Sequence, residues 1–402
     1  MIERQRHLLT LRLKFSHFPV VAMLGARQVG KTTLSKQLAK AWEGSTYHFD
    51  LEDPDDEARL GDPSFALRDL KGLIVIDEVQ LRPDLFPLLR VLADRSDGPA
   101  KFLLLGSAAP ELLKATAETM AGRVAFHHLD GLEWNEVAAA LDASGLEWMD
   151  ERWLKGGFPR AFLAKGLGVS REWREAFIRT YLERDLPQLG ITLPAVTLRR
   201  FWTMLAHYHG QTWNGSELAR SLGVSDKTVA RYLDILEGTF MAFRLLPWHA
   251  NVGKREIKSP KVYVADSGLL HSLLGIARHE DLLAHPKCGA SWEGAIIREL
   301  FYRFDLQRGE AFFWGTHSGA DLDLLVVKGS TRFGFEIKLT KSPKVTASMK
   351  AALEGLGLEH LYVMCHGEGK PWALAERITA VPASNLSGID WLPELSFPKW
   401  GE

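Results

Sequence analysis

Gly25-Ala26-Arg27-Gln28-Val29-Gly30-Lys31-Thr32-Thr33 follows directly on an apolar run, Pro19-Val20-Val21-Ala22-Met23-Leu24, and leads into a helical pattern over residues 32–39 (TTLSKQLA). Strand, glycine-bounded loop, Lys-Thr and helix together form the full context of a phosphate-cradling P-loop. Gly25 and Gly30 let the backbone curl so that successive N–H groups aim at phosphate oxygens. Lys31 is placed to reach the β- and γ-phosphates, and the Thr32 hydroxyl to ligate Mg²⁺. The helix amino end adds its partial positive charge. The segment from Gly25 to Thr33 is therefore expected to bind a nucleotide.

At 402 residues the chain is long enough for two or three domains, and its 46% hydrophobic and 25% charged residues are those of a folded water-soluble protein. Lys and Arg number 49 against 50 Asp and Glu, so any nucleic-acid surface must be local. The two cysteines, Cys288 and Cys365, make neither a disulfide framework nor a metal motif and suit a reducing compartment. The N-terminal stretch MIERQRHLLTLRLKF has no apolar core of signal-peptide type, and no apolar run approaches membrane-spanning length. A cytoplasmic location away from membranes is expected.

Residues 3–16 have the pattern of a short amphipathic helix, Tyr47–Asp50 that of a strand, and Glu52–Asp56 that of a solvated acidic loop. The apolar run Gly72–Ile76 ends in Asp77-Glu78, the Walker-B pattern. A buried parallel strand delivers Asp77 to its carboxyl end, where it can hold the Mg²⁺ shell, while Glu78 can act as general base on the attacking water. A third core strand, Lys101–Leu105, ends in Gly106-Ser107, and Ser107 is placed either to sense the γ-phosphate or simply to close a turn. Arg123, expected on the helix that follows, is a candidate arginine finger toward a neighbouring subunit, which would require a homo-oligomer.

Residues 131–194 read as a helical lid, including a long helix from Ser170 to about Glu183 that Pro187 stops. Residues 195–262 read as a winged helix-turn-helix: Ser216–Leu222, a turn at Gly223-Val224, then a second helix from Asp226. Lys227, Thr228 and Arg231 face outward on that second helix as candidate DNA contacts. This segment holds ten Lys/Arg and five Asp/Glu, a balance of +5, and the run Lys254, Arg255, Lys258, Lys261 extends the basic face. Double-stranded DNA is the expected partner, with a protein partner as the alternative.

In the last third, strand alternation sets Asp321 and Asp323 on one face, and Glu336 and Lys338 on one face about the inward Ile337. Glu293, on a preceding helix, adds a third carboxylate source. Carboxylates with a lysine beside them make a Mg²⁺ site for phosphodiester chemistry, with Glu293, Asp323 and Glu336 as metal ligands. Alternating surface charge on an antiparallel sheet is the plainer explanation.

Across its whole length the chain resembles a family of AAA-type P-loop ATPases of bacteria and archaea with a C-terminal domain of unknown function of the DUF4143 type. The resemblance rests on GARQVGKTTL, LIVIDEVQ, FLLLGSA, AGRVAFHHL, GGFPR, YLERDLP, KVYVADSGLL, WEG and FEIKLT, in that order. It implies an α/β fold: an AAA-type nucleotide domain with a parallel sheet and helices on both faces (1–130), the lid (131–194), the winged helix (195–262) and a C-terminal α/β restriction-endonuclease-like domain similar to PD-(D/E)xK nucleases (263–402). Carried onto matching positions, Lys31 and Thr32 bind phosphate and Mg²⁺, Asp77 binds Mg²⁺, Glu78 is the base, and Glu293, Asp323, Glu336 and Lys338 line the nuclease-like site. Ala26 stands where relatives often have proline, and it supplies an N–H that proline lacks. ATP rather than GTP also follows from the resemblance, since no guanine-reading Asn-Lys-x-Asp stretch is present. The expected function is a Mg²⁺-dependent ATPase that engages DNA. A regulatory switch with an inactive nuclease-like domain and an ATP-gated nuclease are the alternatives.

Overall fold

The computed structural model describes residues 2–95, 100–107, 120–141, 145–248, 259–307, 309–316 and 319–387. The basic positions Lys254, Arg255 and Lys258 lie outside the described residues. The chain forms two compact units, Met1–Gly131 with Gly238–Phe240, and Leu132–Glu237 with Met241–Glu402.

The first unit contains α1 (Gln5–His17), β1 (Val20–Leu24), α2 (Lys31–Lys40), β2 (Thr46–Asp50), α3 (Pro54–Arg59), α4 (Pro63–Arg68), β3 (Gly72–Asp77), α5 (Leu85–Ala93), β4 (Ala100–Gly106) and β5 (Val124–His128). Its strands are all parallel, in the order β2-β3-β4-β1-β5. Near-continuous apolar runs such as VVAML suit strands covered on both faces. Val20, Leu24, Ile74, Ile76, Phe102 and Leu104 pack with Leu85, Phe86 and Leu89 of α5 on one face. The alternating residues Val21, Met23, Leu103 and Leu105 are equally buried on the other face, where α1 and α2 contact the sheet. The acidic stretch Glu52–Asp56, read from sequence as a solvated loop, instead starts a helix: the Asp53 side chain accepts the Asp55 N–H, with Pro54 at the first turn.

The strand order brings the carboxyl ends of β3, β4 and β1 side by side. Arg123 belongs to the other edge. It sits in a turn, not on a helix, immediately before β5, whose first residue Val124 pairs with Val20 at the amino end of β1. Its guanidinium donates to both oxygens of Asp94, at 2.6 and 2.8 Å. Arg123 thus lies a full strand length from this chain's own phosphate loop, in an exposed pair with Asp94, so any finger role would be toward a neighbouring subunit.

The second unit begins with helices α6 (Trp134–Leu141), α7 (Glu147–Lys155), α8 (Pro159–Phe162) and α9 (Leu167–Thr180). Pro187 does not stop the long helix. A π-helical turn, Tyr181–Asp185, carries the chain into α10 (Leu186–Gln188), with the Leu186 N–H donating to Tyr181 O five residues back. The wider turn accommodates a ring that has no N–H to give.

Next come α11 (Ala195–His207), β6 (Gln211–Thr212), α12 (Gly215–Leu222), α13 (Asp226–Gly238), β7 (Ala242–Pro247) and β8 (Lys261–Val264). Gly223 closes α12 at φ 70°, and the Ser225 hydroxyl accepts the Thr228 N–H at 3.2 Å to start α13. The expected turn between two helices is therefore present.

The chain continues through α14 (Ser267–Leu273), α15 (His279–Ala284), α16 (Cys288–Arg303), β9 (Ala311–Gly315), β10 (Asp321–Lys328), β11 (Thr331–Lys338), α17 (Ala347–Gly355), β12 (His360–Cys365), β13 (Trp372–Ala375) and β14 (Ile378–Pro382). One nine-stranded sheet, β13-β14-β12-β11-β10-β9-β7-β8-β6, runs through the unit. Parallel pairing of Leu246 with Phe312 and Pro247 with Phe313 joins the β7–β8 hairpin to the C-terminal strands. The divisions expected at 194/195 and 262/263 fall inside this unit, and the second of them cuts β8.

Two of the resembling motifs prove to be packing devices. Asp266 caps α14 through the Leu269 N–H at 2.9 Å and accepts the Gly157 N–H at 2.6 Å. A Cβ on Gly268 would stand 2.1 Å from Lys155 O, so the GGFPR and ADSGLL segments need their glycines for close backbone approach.

Candidate nucleotide site and carboxylate pocket

The first site forms at the carboxyl edge of the parallel sheet. Gly25 leaves β1 where a Cβ would lie 2.0 Å from Leu129 O, so no other residue fits there. Gln28 (φ 65°) and Gly30 (φ 102°) take the left-handed conformation that curls the loop into α2. Ala26 and Val29 are buried and anchor the loop, while Arg27 pairs with Glu52 and Thr33 faces solvent. Arg4, which the sequence reading passed over, supports the loop from beneath by donating to Val29 O at 3.4 Å and Asp130 O at 3.0 Å. No sequence signal marks it, since a lone arginine before a helix is commonplace.

Lys31 is 5% exposed and donates to Gly25 O and Ala26 O, each at 3.0 Å. Burial pushes its ammonium below the ordinary lysine range, against the pull of Glu78 and Asp77. The Thr32 hydroxyl donates to Asp77 Oδ2 at 2.6 Å. Burial pushes Asp77 above the usual carboxylate range, although the Thr32 hydrogen bond works against that. A buried ammonium short of an anion thus stands beside a buried carboxylate short of a cation. That is the donor set a nucleotide with its divalent ion fits: phosphate on Lys31 and the loop amides, metal on Thr32 and Asp77.

Glu78 sits at φ 53°, an uncommon conformation for a residue with a side chain, and its N–H donates to Asp77 Oδ1 at 3.0 Å. Its Oε2 accepts from Ser107 Oγ at 2.9 Å and from Gln80, which also donates to Ser107 at 3.1 Å. Ser107 therefore bridges β4 to the candidate base. Gln80, part of the IDEVQ run, is the further functional candidate that sequence reading missed.

In the second unit, Lys227 and Arg231 are exposed on α13, while Thr228 is half-buried and engaged with Ser225 at 2.8 Å. The local charge excess is less concentrated than the count suggests. Arg244 pairs with Asp234 and Glu237, and Lys261 turns inward.

A pocket of carboxylates lies where β8, α16, β10 and β11 meet. Leu324 opposes Phe335 across the β10–β11 ladder, so Asp323 and Glu336 stand side by side one step further on. Asp323 Oδ2 accepts the Ile337 N–H at 2.8 Å, and Lys338 pairs with Glu336 Oε1 at 2.6 Å. Asp321 is exposed at the start of β10. Glu293, five residues into α16, accepts from Tyr263 Oη at 2.6 Å and from Lys261 Nζ at 3.0 Å. The same ammonium is 3.6 Å from Asp323 Oδ1. Burial alone would lower Lys261, yet Glu293 and Asp323 hold it above the ordinary lysine range. Burial first, and then the Asp323 charge, push both Glu293 and Glu336 upward. Glu336 Oε2 is buried without a hydrogen-bond partner. The structure thus gathers the four residues expected here and adds Lys261 and Tyr263. Lys261 is corrected from a charge on the exposed basic face to a half-buried one turned inward, because alternation along β8 turns positions 261 and 263 toward the carboxylates. A divalent ion on Glu293, Asp323 and Glu336 does not fit this arrangement, since an ammonium already bridges two of the three.

Comparisons with known proteins place three family models along the chain. A family model described as an AAA domain matches residues 17–138, and one described as a domain of unknown function (DUF4143) matches residues 288–386. A third, described as a domain of unknown function (DUF8612), matches residues 146–280. The uncharacterized protein Rv2008c of Mycobacterium tuberculosis is 46% identical over 395 residues, 98% of this chain and 87% of that protein. The uncharacterized protein Mb2031c of Mycobacterium bovis gives the same figures. Among solved structures, the Walker-type ATPase PABY2304 of Pyrococcus abyssi aligns with 68% of this chain and 96% of that chain at 15% identity and a TM-score of 0.49. The RuvB Holliday junction branch migration motor of Thermotoga maritima aligns with 60% of this chain and 90% of that chain at 16% identity and a TM-score of 0.29.

Proposed function

This chain belongs to one family with the uncharacterized mycobacterial proteins and itself matches an AAA domain and a C-terminal DUF4143 domain, and we propose that it is a Mg²⁺-dependent ATPase that engages double-stranded DNA. The observation that carries the ATPase reading is the Thr32–Asp77 hydrogen bond at 2.6 Å, with Lys31 and Glu78 on either side of it. Lys31 exchanges its two backbone carbonyl partners for phosphate oxygens. The loop amides and the amino end of α2 hold the rest of the phosphate charge. A bound Mg²⁺ supplies Lewis-acid neutralisation of that charge. Glu78, set by its left-handed backbone and held by Ser107 and Gln80, accepts the proton of the attacking water.

The DNA reading rests on α12 and α13 with the β7–β8 hairpin behind them, an arrangement similar to a winged helix-turn-helix, and on exposed Lys227 and Arg231. The C-terminal order α16-β9-β10-β11-α17-β12, with Asp323 and the Glu336-x-Lys338 pair, supports a nuclease-like fold. The inward turn of Lys261 and the pairing of Arg244 lower the exposed positive charge. They favour, as a second reading, a switch that binds a protein partner.

The test is a Mg²⁺-ATPase assay on wild type and Glu78→Gln, with and without double-stranded DNA. Turnover that rises with DNA and vanishes in Glu78→Gln supports the ATPase-on-DNA reading. Turnover indifferent to DNA, with no retention on DNA at low salt, removes the DNA part and favours the switch. Undiminished turnover in Glu78→Gln removes the assignment of the base.

A further inference from the structure

We propose that Lys261 is a built-in cation: its ammonium takes the place of the divalent ion between Glu293 and Asp323, so that this pocket fastens the β7–β8 hairpin to the C-terminal sheet and does not cut phosphodiesters. The inference rests on the nuclease-like reading of the C-terminal sheet and is independent of the ATPase reading.

Each of the three carboxylates already has a partner on at least one oxygen. Glu293 Oε1 receives both the ammonium at 3.0 Å and the Tyr263 hydroxyl at 2.6 Å. Asp323 gives Oδ2 to the Ile337 N–H and turns Oδ1 to the ammonium at 3.6 Å. Glu336 Oε1 is held by Lys338 at 2.6 Å, which leaves Oε2 as the one buried carboxylate oxygen here with no hydrogen-bond partner. Three carboxylates, Glu293, Asp323 and Glu336, thus face two ammonium groups, those of Lys261 and Lys338. A divalent ion set between Glu293 and Asp323 would stand at contact distance from the Lys261 ammonium, and two cations that close repel strongly at low dielectric.

The backbone at Lys261 is fixed within the sheet, paired with Thr212 on one side and Leu245 on the other, in the middle of the β7-β8-β6 ladder. The Lys261 ammonium also lies 5.7 Å from the centre of the Phe313 ring on β9. Tyr263, two residues on along the same strand face, reaches the same carboxylate. Lys261 and Tyr263 thus both reach the carboxylates from one strand held in the sheet.

The experiment uses full-length, nucleotide-free protein in an Asp77→Asn background, which silences the carboxylate of the other site, and reads bound Mn²⁺ by electron paramagnetic resonance. The Lys261-containing protein is expected to bind the same amount of Mn²⁺ with and without an added Asp323→Asn. Lys261→Met, which keeps the volume and removes the charge, is expected to gain Mn²⁺ binding tighter by about tenfold or more. That gain is lost again in Lys261→Met/Asp323→Asn, and Mn²⁺ raises the melting temperature of Lys261→Met alone. The proposal is overturned by Mn²⁺ bound in the Lys261-containing protein and lost on Asp323→Asn, by metal-dependent plasmid nicking that Asp323→Asn abolishes, or by folded Lys261→Met that gains no Mn²⁺. If Lys261→Met does not fold, the first comparison decides alone. Mn²⁺ held by those carboxylates in the Lys261-containing protein would leave the nuclease-like reading standing and remove this one.

Discussion

The Thr32 hydroxyl donates to Asp77 across 2.6 Å, joining the first turn of α2 to the tip of β3. Between β1 and β3 runs β4, so the contact closes over the end of a third strand and fixes the site's width. Removing either partner is expected to weaken metal-dependent turnover. Asp77→Asn should lower kcat by ~10²–10³-fold, the loss typical when one preorganised charge-stabilising group is removed. A Mg²⁺ titration of ATPase activity checks this, and the required concentration should rise in Thr32→Ala.

Glu78 and Ser107 separate binding from chemistry. Glu78→Gln should retain nucleotide yet lose roughly 10²–10⁴-fold in turnover, the range of a general base. Ser107→Ala frees Glu78 Oε2 from one of its two donors and should change turnover far less. Binding of a fluorescent ATP analogue, measured beside steady-state hydrolysis, distinguishes the two outcomes. Loss of binding in Glu78→Gln would contradict its role.

Gly25→Ala tests the loop itself. The added methyl would stand 2.0 Å from a backbone carbonyl, that of Leu129, which cannot rotate away as a side chain would. Nucleotide binding is expected to be lost, with a lowered melting temperature of the first unit. Gly44, with nothing within 4 Å of an added Cβ, is the control for space alone, although its φ of 114° adds strain.

His271 gives a pH signature in the second unit. It is fully buried, with Nδ1 at 3.0 Å from Leu154 O and Nε2 at 2.7 Å from Ser291 Oγ, a neutral pattern. Burial, with Arg174, His285 and His279 nearby, pushes its pKa down to about 3. The unfolded chain therefore takes up the proton first. The stability His271 contributes is complete above pH 6.5 and is lost as pH falls from there toward 3, at ~1.4 kcal/mol per pH unit. The stability gap between wild type and His271→Gln should be flat above neutrality and shrink in acid. A gap that widens in acid has the wrong sign for a buried neutral histidine. Denaturant titrations at several pH values measure it.

Lys227→Ala with Arg231→Ala should weaken DNA binding similarly on every sequence. If each contacts a phosphate, the slope of log affinity against log salt falls by roughly 0.9 per contact removed. An unchanged slope would place DNA, if bound, elsewhere on the chain.

What the residues determined alone was the nucleotide site. Its geometry is written in contiguous stretches: glycines at fixed intervals, Lys-Thr at a helix start, and an apolar run ending in Asp-Glu. Strand alternation likewise set Asp321 with Asp323 on one face and Glu336 with Lys338 on one face, because a period of two needs no distant partner to predict, while the β10–β11 register brought Asp323 beside Glu336. The tertiary structure decided the rest. That Arg123 stands at the amino edge of the sheet, in a turn beside Asp94 and not on a helix, came only from the parallel pairing of β5 with β1. Lys261 looked like one more surface charge until β8 paired with β6 and β7, and β7 with β9. Those pairings join strands that are far apart along the chain. No local period encodes them, so whether a lysine meets solvent or two buried carboxylates is settled only when the sheet closes.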